Sequence, residues 1–187
     1  MRCREQAAGE EAVRLGLSAA DLWHEIELAS VERKPQYRTL VSKFGFREAA
    51  PYRHDLETLY GDASRVLRTL SRGYELGVIA NQTDGLRERF DRFGILSYFT
   101  HIVSSWDVGA MKPQRRIFEI ALQKASCRPE EAAMIGDRLD NDIAPAKALG
   151  MKTVWIRQGF GGLQEPIGDA DTPDHTVSRL DELLDLF

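Results

Sequence analysis

Two hydrophobic rhythms divide this chain. Up to about residue 58 the apolar positions recur at helical spacing. "GEEAVRLGL" carries Val13, Leu15 and Leu17, and "SAAD" follows with Ser18 and Asp21 as a capping-box start. "LWHEIELASVE" then sets Leu22, Trp23, Ile26 and Ala29 on one helical face, which reads as packing between helices. "YRTLVSKFG" repeats the pattern with Leu40, Val41 and Phe44, and Gly45 is the expected C-terminal stop. No buried strand is predicted in this half.

After residue 58 the rhythm changes. Short apolar runs at 76–80, 101–105, 132–135 and 152–156 alternate with the helical segments "DGLRERFDRFG", "PQRRIFEIALQKAS" and "NDIAPAKALG". A short strand "HTVS" and a last helix "LDELLDLF" close the chain. Strand and helix in alternation predict an α/β fold, a parallel sheet covered by helices on both faces. Ligands of such sheets bind where strands end and loops turn into helices. The residues just after each apolar run are therefore the candidates.

Three such strand ends carry chemistry. The first reads "NQTDG": Asn81, Gln82 and Thr83 can donate to an anion, and they serve equally well as a turn with a helix cap. The second reads "WDVGAMKPQRRIF", with Lys112 directly before Pro113. Pro at a first helical position puts Lys112 at a helix start, where a cation calls for an anionic neighbour. The alternative is an ordinary solvated lysine. The third reads "GDRLDND", where Gly136 permits a tight turn and Asp137, Asp140 and Asp142 gather within six positions. One of these acids is expected to do no more than cap the helix. Asp137 and Asp142 together, hard oxygen donors with room for water, suit Mg2+ better than zinc or calcium.

Composition narrows the picture further. Lys and Arg total 25 against 29 Asp and Glu, a net charge of -4 with no basic block, which argues against nucleic acid. No apolar run approaches a membrane span and "MRCREQAAGEE" has no signal-peptide core, so no membrane partner is expected. Cys3 and Cys127 are far apart and lack metal spacing, which suits a reducing cytoplasm. His24, His54, His101 and His175 share no ligand spacing. The glycines of "QGFGG" look like a dinucleotide fingerprint, but "LQEP" follows where that fingerprint needs a helix.

A strand-end amide, a lysine and an acidic cluster, in that order, resemble the haloacid dehalogenase superfamily of hydrolases, in the branch with a small helical cap near the N-terminus. "YRHDLETLYGDASRVLRTLSRGYELGVIANQ" resembles the return from cap to core and the second motif, and "AMKPQRRIFEIAL" the third. "MIGDRLDNDIAPAKALGMKTVWI" resembles the fourth, which is the most specific, and "PDHTVSRLDELLDLF" is a typical tail. The resemblance implies a Rossmann-like core at residues 59–187 and a helical cap at 1–58. It implies a Mg2+-dependent phosphatase acting on a small phosphorylated metabolite through an aspartyl-phosphate. Lys112 would then pair with phosphate and nucleophile, Asp137 and Asp142 would hold the metal, and Asn81 and Gln82 would bind substrate. Arg47, Arg53 and His54 would lie near the cap–core junction.

Two departures stand out. Where the family has Ser or Thr before the asparagine, this chain has Ala80. The family's first motif, a buried strand ending in Asp-x-Asp, is also missing. Asp140-Asn141-Asp142 belongs to the fourth motif and Asp169-Ala170-Asp171 follows a loop. The absent strand would lie between those ending at Asn81 and Asp137, so these two should not pair directly. A start at Met1 downstream of the natural one is the simplest expectation. A relative without catalysis, binding a metabolite or protein, is the alternative, and carbon–halogen hydrolysis is a third reading that the acidic cluster disfavours.

Overall fold

The computed structural model describes residues 9–10, 12–14, 16–45 and 57–187, the Tyr37 side chain excepted. Arg47, Arg53, His54 and Cys3 lie outside the described residues. The chain divides into two compact units: residues 1–58 with 158–165, and residues 59–157 with 166–187.

The first unit is built on helices α1 (Ala19–Val31) and α2 (Gln36–Phe44). Ser18 caps α1 by accepting from the Asp21 N–H at 3.1 Å, while its hydroxyl donates to the Asp21 carboxylate at 2.6 Å. Gly45 ends α2 at φ 68°, a left-handed conformation that glycine adopts without Cβ strain. Leu22, Ile26 and Leu40 form its buried core, with Trp23 packed against them. The "QGFGG" segment belongs here too. Phe160 stacks on Trp23 with ring centroids 5.9 Å apart, and the buried Ser30 hydroxyl donates to the Phe160 carbonyl at 2.6 Å.

The second unit contains α3 (Ala63–Leu70), β1 (Leu76–Ala80), α4 (Leu86–Arg92), β2 (Phe99–Ser104) and the short α5 (Ser105–Val108). It continues with α6 (Arg115–Ala125), β3 (Ala133–Gly136), α7 (Ala144–Leu149), β4 (Lys152–Ile156) and β5 (His175–Val177). The last segment, Leu180–Asp185, winds as a 3-10 turn rather than the α-helix its pattern predicts. All strand pairings are parallel, but they form two sheets, β1-β2 and β3-β4-β5. One apolar cluster joins Val103, Met134 and Ala146 with Ile117 and Phe118 of α6. A second joins Val66 and Leu70 of α3 with Val154, Val177 and Leu183. This is a Rossmann-like α/β architecture with helices on both faces.

As the sequence led us to expect, β1 and β3 do not pair with each other. A cavity of about 700 Å3 lies along both strands, walled by Leu76–Ile79 on one side and Ala133–Gly136 on the other. Strands buried on both faces read as continuous apolar runs, and "LGVIA" is such a run. Yet none of the five β1 residues is fully buried, whereas Thr153, Val154 and Trp155 of β4 all are. The apolar β1 pattern exceeds the burial it receives, because the cavity adjoins it. Among the described residues, no helix is long and apolar enough to cross a membrane.

Candidate active site

Lys112, Asp137 and Asp142 meet at one end of this cavity, where β1 and β3 finish. The Lys112 ammonium donates to Asp142 Oδ1 at 2.6 Å, with side-chain exposures of 15% and 4%. Asp142 Oδ2 accepts from the Arg138 backbone N–H at 3.0 Å. The expected anionic neighbour of Lys112 is therefore Asp142. A charge-assisted pair this buried is stable only because each charge has its partner.

The backbone around the site differs from its prediction in two places. Pro113 does not open the helix. Gln114 first closes a turn on Met111, its N–H donating to the Met111 carbonyl at 2.8 Å and its side chain accepting from the Met111 N–H at 3.1 Å. Helix α6 then starts at Arg115, three residues beyond Lys112. The second place is "LDNDI", which winds as a π-turn over Leu139–Ile143 before α7 begins. Its Asp140 does not cap a helix but pairs with Arg138, accepting from Nε at 2.9 Å. The wide turn brings Asp142 back onto Gly136. A Cβ built on Gly136 would lie 2.4 Å from Asp142 Cβ, so only glycine fits.

Asp137 is held by other means. The Trp155 indole N–H donates to its backbone carbonyl at 2.9 Å, fixing the tip of β3 from β4. Burial pushes the Asp137 carboxyl above its ordinary range, and the neighbouring Asp142 charge pushes it further; Lys112, its own backbone N–H and Arg138 only partly oppose this. The phenol of Tyr60 is raised as well, first by partial burial and then by the Asp137 charge. The site thus carries an acid that pays a desolvation penalty for its charge, which is what a cation relieves.

At the end of β1 the amides are already engaged. Asn81 Oδ1 accepts from the Lys112 N–H at 2.7 Å, and Asn81 Nδ2 donates to the Lys112 carbonyl at 2.8 Å. The Gln82 N–H donates to Ser105 Oγ at 3.0 Å, and that hydroxyl is 3.1 Å from the Gln82 carbonyl. The Gln82 side chain accepts from the buried Arg89 at 2.9 Å. The sequence reading missed Ser105, Arg89, Arg138, Trp155 and Tyr60. Ser105, the last residue of the second apolar run, and Arg138, inside the third strand-end segment, were in view in the sequence; Arg89, Trp155 and Tyr60 carried no such signal.

Two carboxylates and an ammonium at the ends of parallel strands define a polar centre of the kind that handles anionic groups. The chain matches the haloacid dehalogenase-like hydrolase family over residues 13–156, and it belongs to that family. It is 36% identical over 140 residues to the glyceraldehyde 3-phosphate phosphatase of Methanocaldococcus jannaschii, covering 73% of this chain and 56% of that protein. It is 33% identical over 148 residues to the phosphoserine phosphatase of Thermus thermophilus, covering 78% of this chain and 55% of that protein. The chain spans about half the length of the curated relatives it matches. A haloacid dehalogenase-type phosphatase from Thermococcus onnurineus shares its fold with a TM-score of 0.66 and 26% identity, covering 100% of this chain and 88% of that one.

Proposed function

We propose that this chain carries the lysine–aspartate half of a Mg2+-dependent phosphatase site for small phosphorylated metabolites. The observation that carries the reading is Lys112 paired with the buried Asp142 beside an Asp137 whose charge is penalised. Relatives named as phosphatases of glyceraldehyde 3-phosphate and phosphoserine support the substrate class.

The residues present fit magnesium. Among the described residues no three or more His, Cys, Asp or Glu side chains gather into a metal cluster. Two carboxylates suffice for Mg2+, which keeps several waters and completes its shell with substrate phosphate. Asp137 is the direct ligand in this reading. Asp142, with Lys112 on one oxygen and the Arg138 N–H on the other, assists by a remaining lone pair or by orienting its neighbours. The bound metal would supply positive charge against phosphoryl oxygens.

Phosphoryl transfer is mainly a matter of positioning and charge stabilisation. The Lys112 ammonium, aimed into the cavity end by Asp142, neutralises a phosphoryl oxygen there. Gln82 is positioned by Arg89 at the tip of β1 to contact substrate. The attacking carboxylate is in this reading supplied by a further strand lying in the cavity between β1 and β3, outside these 187 residues. In this reading residues 1–58 are the family's cap subdomain. Ala80 leaves one hydroxyl contact unmade, at a cost of about 3 kcal/mol by comparison with removal of an oxyanion donor.

The test is the intact mass and N-terminal sequence of the protein from its native source. A mass above 21.1 kDa, with an apolar strand and Asp-x-Asp ahead of Met1, supports the reading. A mass equal to it removes the nucleophile and favours a second reading, a non-catalytic metabolite-binding relative, which the Ala80 position also favours.

A further inference from the structure

We propose that Asn81 is a positioning residue for Lys112 rather than a contact for the substrate. The inference rests on Lys112 being the anion-neutralising group of the site proposed above. It comes from the hydrogen bonds at the end of β1.

A primary amide offers an acceptor oxygen and a donor nitrogen in one plane, the same pair that a peptide group presents. In Asn81 both are spent on one residue, the N–H of Lys112 at 2.7 Å and its carbonyl at 2.8 Å. Two bonds to the same residue fix its backbone in orientation as well as position. No aspartate can reproduce both, since an ionised carboxylate only accepts. The anchor is itself rigid, because Ser105 holds the Gln82 backbone immediately after Asn81.

The clamp also joins parts of the fold that the sheets leave separate. β1 belongs to the two-stranded sheet and β3 to the three-stranded one. From the tip of β1 the chain of contacts runs through Asn81 to the Lys112 backbone, and from the Lys112 ammonium to Asp142 at 2.6 Å. Asp142 in turn accepts from the Arg138 N–H, two residues beyond the end of β3. Asn81 therefore sets where the ammonium stands relative to Asp137 and Asp142.

The test measures the Lys112 amine directly. Amine-reactive ester labelling of the full chain, read by peptide mass spectrometry, gives the reactivity of Lys112 against Lys147, a half-buried lysine whose ammonium donates to the Thr172 carbonyl at 2.6 Å, as internal reference. In Asn81→Ala the relative labelling of Lys112 rises on the order of tenfold, the scale of losing a buried hydrogen bond or two. In the near-isosteric Asn81→Asp it rises by less, since one bond survives; this variant decides the matter if the alanine variant does not fold. A general loss of stability raises labelling at both lysines and leaves the ratio unchanged, which overturns the proposal. Inorganic phosphate binding in the presence of Mg2+ gives the second readout. Asn81→Ala weakens binding in the wild-type background and adds nothing in Lys112→Ala. Additive losses with unchanged labelling mean that Asn81 touches the anion, and the proposal fails. If the wild type binds no phosphate, the phosphatase reading fails, while the labelling ratio still decides the role of Asn81.

Discussion

Gly136→Ala tests the close packing at the third strand end. The added Cβ would sit 2.4 Å from Asp142 Cβ and 2.6 Å from its Cγ and Oδ2. Contacts under 3 Å to a Cβ cannot be relieved by rotating a side chain, so the π-turn backbone must shift. Overpacking of this kind costs about 1–3 kcal/mol. A shift of Asp142 also weakens its bonds to Lys112 and the Arg138 N–H, each a charged hydrogen bond worth about 1.5–3 kcal/mol. With partial relaxation the total is roughly 3–5 kcal/mol. Urea denaturation followed by the fluorescence of the buried Trp155 reads this as a midpoint lower by on the order of 2 M. Gly77→Ala is the control. Its Cβ would meet nothing closer than the His101 carbonyl at 3.6 Å, an ordinary contact, so stability should stay within about 0.5 kcal/mol. A Gly136→Ala midpoint indistinguishable from the control would refute the packing argument.

Other consequences are open to measurement. Lys112→Met strands the buried Asp142 carboxylate and should cost about 3–5 kcal/mol by urea denaturation, whereas Lys112→Met with Asp142→Leu should recover much of that loss. Burial raises the Asp137 carboxyl, so the folded state binds that proton more tightly than the unfolded state does. In chelator-containing buffer, stability relative to Asp137→Asn should therefore fall as pH rises from the ordinary aspartate range through the raised folded value, and level off above it; melting curves across that range showing no difference would contradict the assignment. Adding Mg2+ at neutral pH should raise the melting temperature of the wild type and not that of Asp137→Asn. In the first unit, Ser30→Ala removes the hydroxyl bonded to the Phe160 carbonyl and should destabilise by about 1–3 kcal/mol, read as a lower urea midpoint.

Much of this molecule was legible in its sequence because the strands of a parallel sheet are written as short continuous apolar runs. The runs 76–80 and 152–156 match β1 and β4 residue for residue. Gly45 ended its helix as its conformational freedom predicts. The acid cluster was visible as polar residues just after a strand, and Lys112, eight residues beyond β2, by its place before Pro113; Lys112 did find an acidic partner. What the pattern could not show was contact between distant residues. That Asn81 spends its amide on Lys112, 31 positions away, is a matter of tertiary placement. So is the Trp155 indole bond to Asp137, since an aromatic residue in an apolar run reads only as core. The helix expected at Pro113 began late because the Gln114 side chain satisfied Met111 first, a local competition that helix-start rules do not weigh.

The central claim is that Lys112 and Asp137 serve Mg2+-dependent phosphate release, and hydrolysis by the natively purified protein tests it most directly. Small phosphate monoesters, including glyceraldehyde 3-phosphate and phosphoserine, would be incubated with Mg2+ or with chelator, and released phosphate measured. The account predicts release that needs Mg2+ and is lost in Lys112→Ala and in Asp137→Asn. Release that persists in chelator, or in both variants, would contradict it.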